Sequence, residues 1–393
     1  MKRVNRMSSV KLVSVVILLG TLMACQSSQE SITPVTTGSN QSGLGTPYNS
    51  DRTAGGSDRK LTVVDGSVQK NNQEVAIERI HRLEGSHIEA WLSDNEVRIN
   101  TTKLVKAATS TIEPQYSYTT STIDLSTSQQ REVKEYQSST EFIKEILSPD
   151  GKFSFIQKWK DKYTADNFIK NLSTGESIAV KGDNYLELGG WLDNDTYILA
   201  AGSMEGRGDI RQVSTDGTFT KIELKDKDVE LFNRFGVSNG RILYTDAMNN
   251  LKVLEQGKTQ PTILAKGVWD FLISPDSKHI AVSTVSDQGK PGTELFIYDS
   301  AGSLQGSLIA KGDTMTYLAW SPDSSKLAFD VYTTDKSGMN GVYIFDSASG
   351  KVSPIGPSYY PQYPLNWSPS GKRIGITMED KEFLMVTKII DFK

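Results

Sequence analysis

The chain has 393 residues, of which 37% are hydrophobic and 23% charged, the content of an ordinary globular protein. Its formal charge of −4 excludes nucleic-acid backbones as its main ligand. A single cysteine, Cys25, excludes any disulfide within the chain.

The first residues read as an address. Lys2, Arg3, Arg6 and Lys11 form a basic head, and residues 12–24 form an apolar run of 13 residues, short for a membrane span. Leu22-Met23-Ala24-Cys25 follows, with Met23 where a small residue is usual. This run resembles the lipobox of bacterial lipoproteins. The resemblance implies cleavage between Ala24 and Cys25 and a diacylglycerol on the Cys25 thiol, with palmitate-like acyl chains. An exported chain that keeps one cysteine, at the cleavage point, fits that role. Cleavage would remove four basic residues and no acid, taking the charge from −4 to −8.

Residues 26–60 hold mostly Ser, Thr, Gly, Asn and Gln, with Ile32, Val35, Leu44 and Tyr48 as their sizeable apolar side chains. Such a stretch cannot bury enough surface to offset its ordering entropy, so it reads as a disordered linker. As a flexible coil it would span roughly 30–35 Å end to end. Two apolar strands are expected next, at Leu61-Thr62-Val63-Val64 and at residues 75–80.

From there one pattern organises the chain. Ala319-Trp320-Ser321-Pro322-Asp323-Ser324-Ser325-Lys326-Leu327-Ala328-Phe329 is a strand end, a turn and a second strand. Pro322 presets φ, and Asp323 can bond the backbone ahead of it. The pattern returns at Leu147-Ser148-Pro149-Asp150-Gly151, Ile273-Ser274-Pro275-Asp276 and Trp367-Ser368-Pro369-Ser370-Gly371. Degenerate copies sit at Trp91-Leu92-Ser93-Asp94, Trp191-Leu192-Asp193-Asn194 and Val237-Ser238-Asn239-Gly240. The seven turn positions, from Ser93 to Ser368, are separated by 55, 45, 45, 36, 47 and 47 residues. Asp299 and Asp346 each end an apolar strand 25 residues after their turn serine. A period in this range, built of short strands, means an all-β propeller of four-stranded blades.

The repeat resembles that of the TolB-like, WD-repeat-like β-propellers over residues 61–393. Seven blades is the count, with six as the alternative because the TolB-like group is commonly six-bladed. The last unit ends at Lys393 one strand short, so the segment near residues 61–80 is expected to supply the missing strand and close the ring. Longer loops are expected at residues 101–116, 202–211, 286–293 and 333–341, on one face of the disc.

Several sites invite a chemical reading, and the repeat answers most of them. Gly236-Val237-Ser238-Asn239-Gly240 fits the nucleophile elbow, but a strand follows it where that motif needs a helix. Asp193-Asn194-Asp195 lacks the glycine and glutamate of a calcium loop. Arg207-Gly208-Asp209 spells an adhesion tripeptide in an expected loop. His81 and His87 could share a surface, and His279 reads as structural. No acidic or cysteine ligands accompany them for zinc. Trp91, Trp159, Trp191, Trp269, Trp320 and Trp367 read as packing residues. No catalytic, cofactor or metal residue is assigned. The expected function is a membrane-anchored, extracytoplasmic interaction or scaffolding module with an envelope protein partner. The alternative is an envelope hydrolase or lyase acting on glycans or peptides through the central funnel.

Overall fold

The computed structural model describes residues 62–65, 75–107, 113–133, 143–160, 164–180, 188–203, 206–229, 232, 234–285, 292–335, 338–356, 360–379 and 385–393. They belong to the compact unit Asp58–Lys393. The expected signal peptide, the cleavage site at Ala24 and Cys25, the lipidated Cys25 and the linker lie outside them, as do residues 286–291. None of the described residues is helical, and no helix is long and apolar enough to cross a membrane.

The repeated turn builds itself from its own side chains. The hydroxyls of Ser148, Ser274 and Ser321 donate to Asp150, Asp276 and Asp323 at 2.9, 2.7 and 2.6 Å. Each also accepts the backbone N–H five residues on, from Phe153, His279 and Lys326. Ser368 accepts from Arg373 in the same way, at 3.2 Å. The third residue after each serine must be left-handed: φ is 68° at Gly151, 59° at Ser277, 62° at Ser324 and 71° at Gly371. Glycine takes this conformation freely, whereas serine does so at a cost.

Each turn joins the first two strands of a blade. Blade 1 contains β3 (Ser86–Trp91), β4 (Glu96–Lys106), β5 (Gln115–Asp124) and β6 (Gln130–Glu132). Five further four-stranded antiparallel sheets follow in chain order, over residues 143–179, 188–222, 235–265, 268–312 and 318–354. The seventh sheet is built from both ends of the chain. The strands Asn366–Trp367, Arg373–Glu379 and Met385–Phe392 take β2 (Ile77–Glu84) as their fourth neighbour and β1 (Thr62–Asp65) as a fifth. The ring therefore has seven blades, and β2 supplies the missing strand, pairing Ile80 with Ile390 and Glu84 with Val386. The second strands are buried on both faces, as their apolar runs require: Phe155, Leu199, Val282 and Phe329 are fully enclosed.

Tryptophans join blade to blade. The indole N–H of Trp191 donates to the Ile146 carbonyl, Trp320 to Leu272, Trp367 to Ala319 and Trp91 to Asn366, at 2.9, 3.1, 2.9 and 3.3 Å. Every acceptor lies two residues before the turn position of the preceding blade. The Trp91 bond crosses the closure between blades 7 and 1. The turns are linked as well. Ser324 accepts the Asp276 N–H at 2.9 Å, and Asp94 accepts the Ser370 N–H at 2.9 Å.

Two expectations need correction. Of residues 101–116 and 202–211, the described residues 101–106, 115–116, 202–203 and 206–211 are not loop but the far ends of long paired strands, β4 with β5 and Thr196–Ser203 with Gly206–Ser214, where ladder pairing interrupted by one register shift in each hairpin satisfies the backbone. The six-blade alternative fails because every turn position heads its own sheet.

Candidate functional site

One face of the ring carries the hairpins between second and third strands and the connections between blades. The repeated turns lie on the opposite face. The hairpin face holds the features that the fold does not need. Met248 is 71% exposed and Trp269 59% exposed, and Val285 is exposed beside them. The backbone places the three together. Val268 donates its N–H to the Asn249 carbonyl at 2.7 Å, and Val285 to the Gly267 carbonyl at 2.8 Å. Arg234 and Asp270 border the patch with an ion pair of 2.7 Å. Exposed aromatic and methionine side chains with a charged rim are what a protein interface uses as anchors.

A buried charge cluster holds this patch still. Lys252 places its ammonium 2.8 Å from Asp226, 2.8 Å from Asp246 and 3.2 Å from Asp228. Tyr244 donates its hydroxyl to Asp226 at 2.7 Å. Burial pushes the Lys252 ammonium down, but its bonds to Asp226, Asp246 and Asp228 outweigh burial and hold it above the usual lysine value. Burial likewise pushes Asp226 and Asp246 up, and donation from Lys252, with Tyr244 and Asn250, brings both below the usual carboxylate range. Asp246 then accepts the backbone N–H groups of Met248 and Asn250, at 2.9 and 2.8 Å. Ala247 donates to the Asp228 carbonyl at 2.9 Å. The turn that presents Met248 is thus fixed from beneath and from the side.

The second feature is an arm. Among the described residues, β4 and β5 beyond Thr101 and Thr119 pair with each other, apart from the Thr102 N–H bond to the Gly85 carbonyl. Leu104 lies opposite Tyr116 and Thr102 opposite Tyr118, so Leu104, Tyr116 and Tyr118 share one face. All three are exposed, Tyr118 at 75%, and Lys103 and Lys106 are exposed with them.

Asp330 is the third. It is fully buried on the second strand of blade 6, where one oxygen accepts the N–H groups of Thr316 and Tyr317 at 3.1 and 2.6 Å. Its other oxygen meets no donor. Burial pushes its carboxyl up, above the usual range, against those two hydrogen bonds.

The residues singled out in the sequence fall as follows. Ser238 is buried at the end of the strand Phe235–Ser238, before the turn to Arg241–Thr245, its hydroxyl 3.4 Å from the Ser277 carbonyl. Asn239 and Gly240 are both left-handed, at 48° and 73°, the geometry of a tight hairpin and not of an elbow. Asp193 caps its own turn by accepting the Asp195 N–H at 2.9 Å. Arg207-Gly208-Asp209 is strand, not loop, and Asp209 is held by Arg211 at 3.0 Å and Lys221 at 2.7 Å. His81 and His87 do not share a surface. His81 is buried against Asp391, whereas His87 stacks on Tyr363 with ring centroids 4.5 Å apart. His279 stacks on Trp320 at 6.0 Å. No group of three or more potential metal ligands occurs among the described residues.

Trp269 departs from the packing role expected of all six tryptophans. The signal was its phase. The four tryptophans that join blades stand one or two residues before their turn position, but Trp269 stands five before Ser274. The arm also left a trace, in the 55-residue gap after Ser93.

No family model matches the chain, and neither does any curated protein. Among solved structures, an oligogalacturonate lyase in complex with manganese aligns over 85% of this chain and 97% of its own, with a TM-score of 0.50 and 12% identity. The fold is a β-propeller. TolB from Acinetobacter baumannii aligns over 75% of this chain and 79% of its own, with a TM-score of 0.37 and 15% identity. The propeller domain of the trilobed protease from Pyrococcus furiosus aligns over 78% and 93%, with a TM-score of 0.44 and 13% identity. Identities this low speak to the fold alone, and propellers host many activities.

Proposed function

We propose that this chain is a lipid-anchored, extracytoplasmic β-propeller that acts as a protein-interaction or scaffolding module at the cell envelope. The observation that supports it is the exposed patch of Met248, Trp269 and Val285, in which the turn that presents Met248 is immobilised by the Lys252 cluster. A surface that is apolar and already ordered loses little entropy on binding, so it suits a partner's side chains. The anchor rests on the lipobox-like Leu22-Met23-Ala24-Cys25 and the solitary Cys25. No observation favours the hydrolase or lyase alternative over this reading.

The test is capture of partners from solubilised envelopes with the full chain, and with Trp269→Ala and Met248→Asp combined. Wild type is expected to recover a specific protein that the double variant loses while its melting temperature holds. A partner captured equally by a folded double variant contradicts the assignment of the patch.

A further inference from the structure

The β4–β5 arm is costly to expose. A free two-stranded ribbon is barely stable in water, and this one extends about 16 Å past Thr101 at strand rise. Its apolar face is Leu104, Tyr116 and Tyr118. Lys103 lies on the opposite face of the ribbon, across from Ser117, and Lys106 follows the register shift at Val105. This combination of aliphatic, tyrosine and lysine side chains suits the boundary between acyl chains and anionic headgroups. Tyrosine places a ring in the apolar part and a hydroxyl in water, and lysine extends its ammonium to the phosphates.

The topology adds a second, independent observation. β2 ends at Glu84, and β3 begins at Ser86 on the hairpin face, where Thr102 donates its N–H to the Gly85 carbonyl at 2.8 Å. β1 runs antiparallel to β2 and starts with Thr62 opposite Arg82, close to the same rim. β1 therefore begins on the face from which the arm projects, in the blade next to it.

We infer that the β4–β5 arm docks on the anionic lipid surface of the membrane that holds the chain. Leu104, Tyr116 and Tyr118 enter the headgroup boundary, and Lys103 and Lys106 meet the lipid phosphates. The inference rests on the anchored reading above. It sets the ring with its hairpin face toward the bilayer, which places the Met248, Trp269 and Val285 patch where a membrane-embedded partner can reach it.

The test uses the full chain purified from membranes and reconstituted into phosphatidylglycerol vesicles that contain a phospholipid with a photoactivatable headgroup. Lipid adducts are expected on β4 and β5. Lys103→Ala and Lys106→Ala should each lower the adducts about fivefold, as should replacing the anionic lipid with phosphatidylcholine. Melting by circular dichroism establishes that the variants stay folded. A chain that is acylated and vesicle-bound but free of adducts on the arm overturns the inference. So does an arm that crosslinks only to a protein in native membranes. The mass of the Cys25 peptide separates the anchored reading from the arm. If Cys25 carries no acyl group, adducts on the arm that vanish at high salt still support lipid docking, and their absence contradicts it.

Discussion

His81, near the N-terminal end of the described chain, lies 3.1 Å from the carboxylate of Asp391, 310 residues later and two from the C-terminus. The equivalent acids of other blades have a local task. Asp299 and Asp346 accept N–H groups from the turn that follows their own strand. Asp124 and Asn171 do the same. In blade 7 the equivalent acid meets other partners. Asp391 instead takes His81 from β2 and Arg373 at 2.8 Å. A repeat position that elsewhere finishes a turn here fastens one chain end to the other.

Asp391→Ala should therefore cost about 3 kcal/mol, because it leaves the buried His81 without its carboxylate and the Arg373 Nε–H without its acceptor. The acid limb is informative too. Burial pushes Asp391 up, but the hydrogen bond and charge of His81, with Arg373, hold it below the usual range. A carboxyl depressed by folding contributes stability above its unfolded pKa and loses it as pH falls through the folded value. Wild type should thus lose stability below about pH 4, and Asp391→Asn should flatten that part of the profile. Melting scans from acid to neutral pH measure both. Parallel profiles would remove the clip from the closure.

Asp330 carries the opposite sign. Its carboxyl is raised, so whatever it contributes is present at low pH and lost as pH rises through the folded value. Asp330→Asn keeps the oxygen that accepts from Thr316 and Tyr317 and removes the buried charge. It should raise the melting temperature by roughly 2–4 °C at pH 8 and change little at pH 4. A loss of stability at pH 8 would mean that the ionised carboxylate has a donor.

The blade-to-blade tryptophans can be tested against Trp269 as an internal control. Trp320→Phe keeps an aromatic ring but removes the indole N–H that donates to the Leu272 carbonyl across the blades, at a cost of about 1 kcal/mol. Trp269→Phe removes an exposed indole and should change stability by less than about 0.5 kcal/mol. Urea titrations of the two variants compare them, and equal costs would contradict the joining role.

The left-handed serines of the repeated turn, Ser277 and Ser324, should respond differently to glycine. Ser277→Gly relieves backbone strain and should stabilise by about 0.5–1 kcal/mol. Ser324→Gly relieves the same strain but loses the hydroxyl that accepts the Asp276 N–H, so the gain should disappear. Glycine helping both equally would show that the link between turns contributes nothing.

The architecture was legible because its determinants are local. The Ser-Pro-Asp turn bonds to itself, and its return at seven positions, three intact and four in variant form, gives the blade count directly. The shortfall after Asp391 pointed to closure from the N-terminal side. It could not choose between β1 and β2, since both are short apolar runs and the choice depends on packing against Met385–Phe392. The interaction face was less legible. Trp269 has the composition of a core residue, and only its place at the register shift between Val268 and Asp270 turns it to solvent. Lys252, Asp226 and Asp246 come together from separate segments, and no spacing in the sequence announces that meeting.

Everything presented on the hairpin face depends on a ring closed by β2, and truncation tests that most directly. Removing residues 26–74 deletes the linker and β1, the fifth strand, which the ring does not need. Removing residues 26–84 also deletes β2, opens a blade edge and takes away His81. Circular dichroism melts are predicted to show the first chain within a few degrees of the untruncated one. The second is predicted to lose several kcal/mol, enough to unfold a domain of ordinary stability. Cooperative melting of both chains at the same temperature would contradict closure by β2.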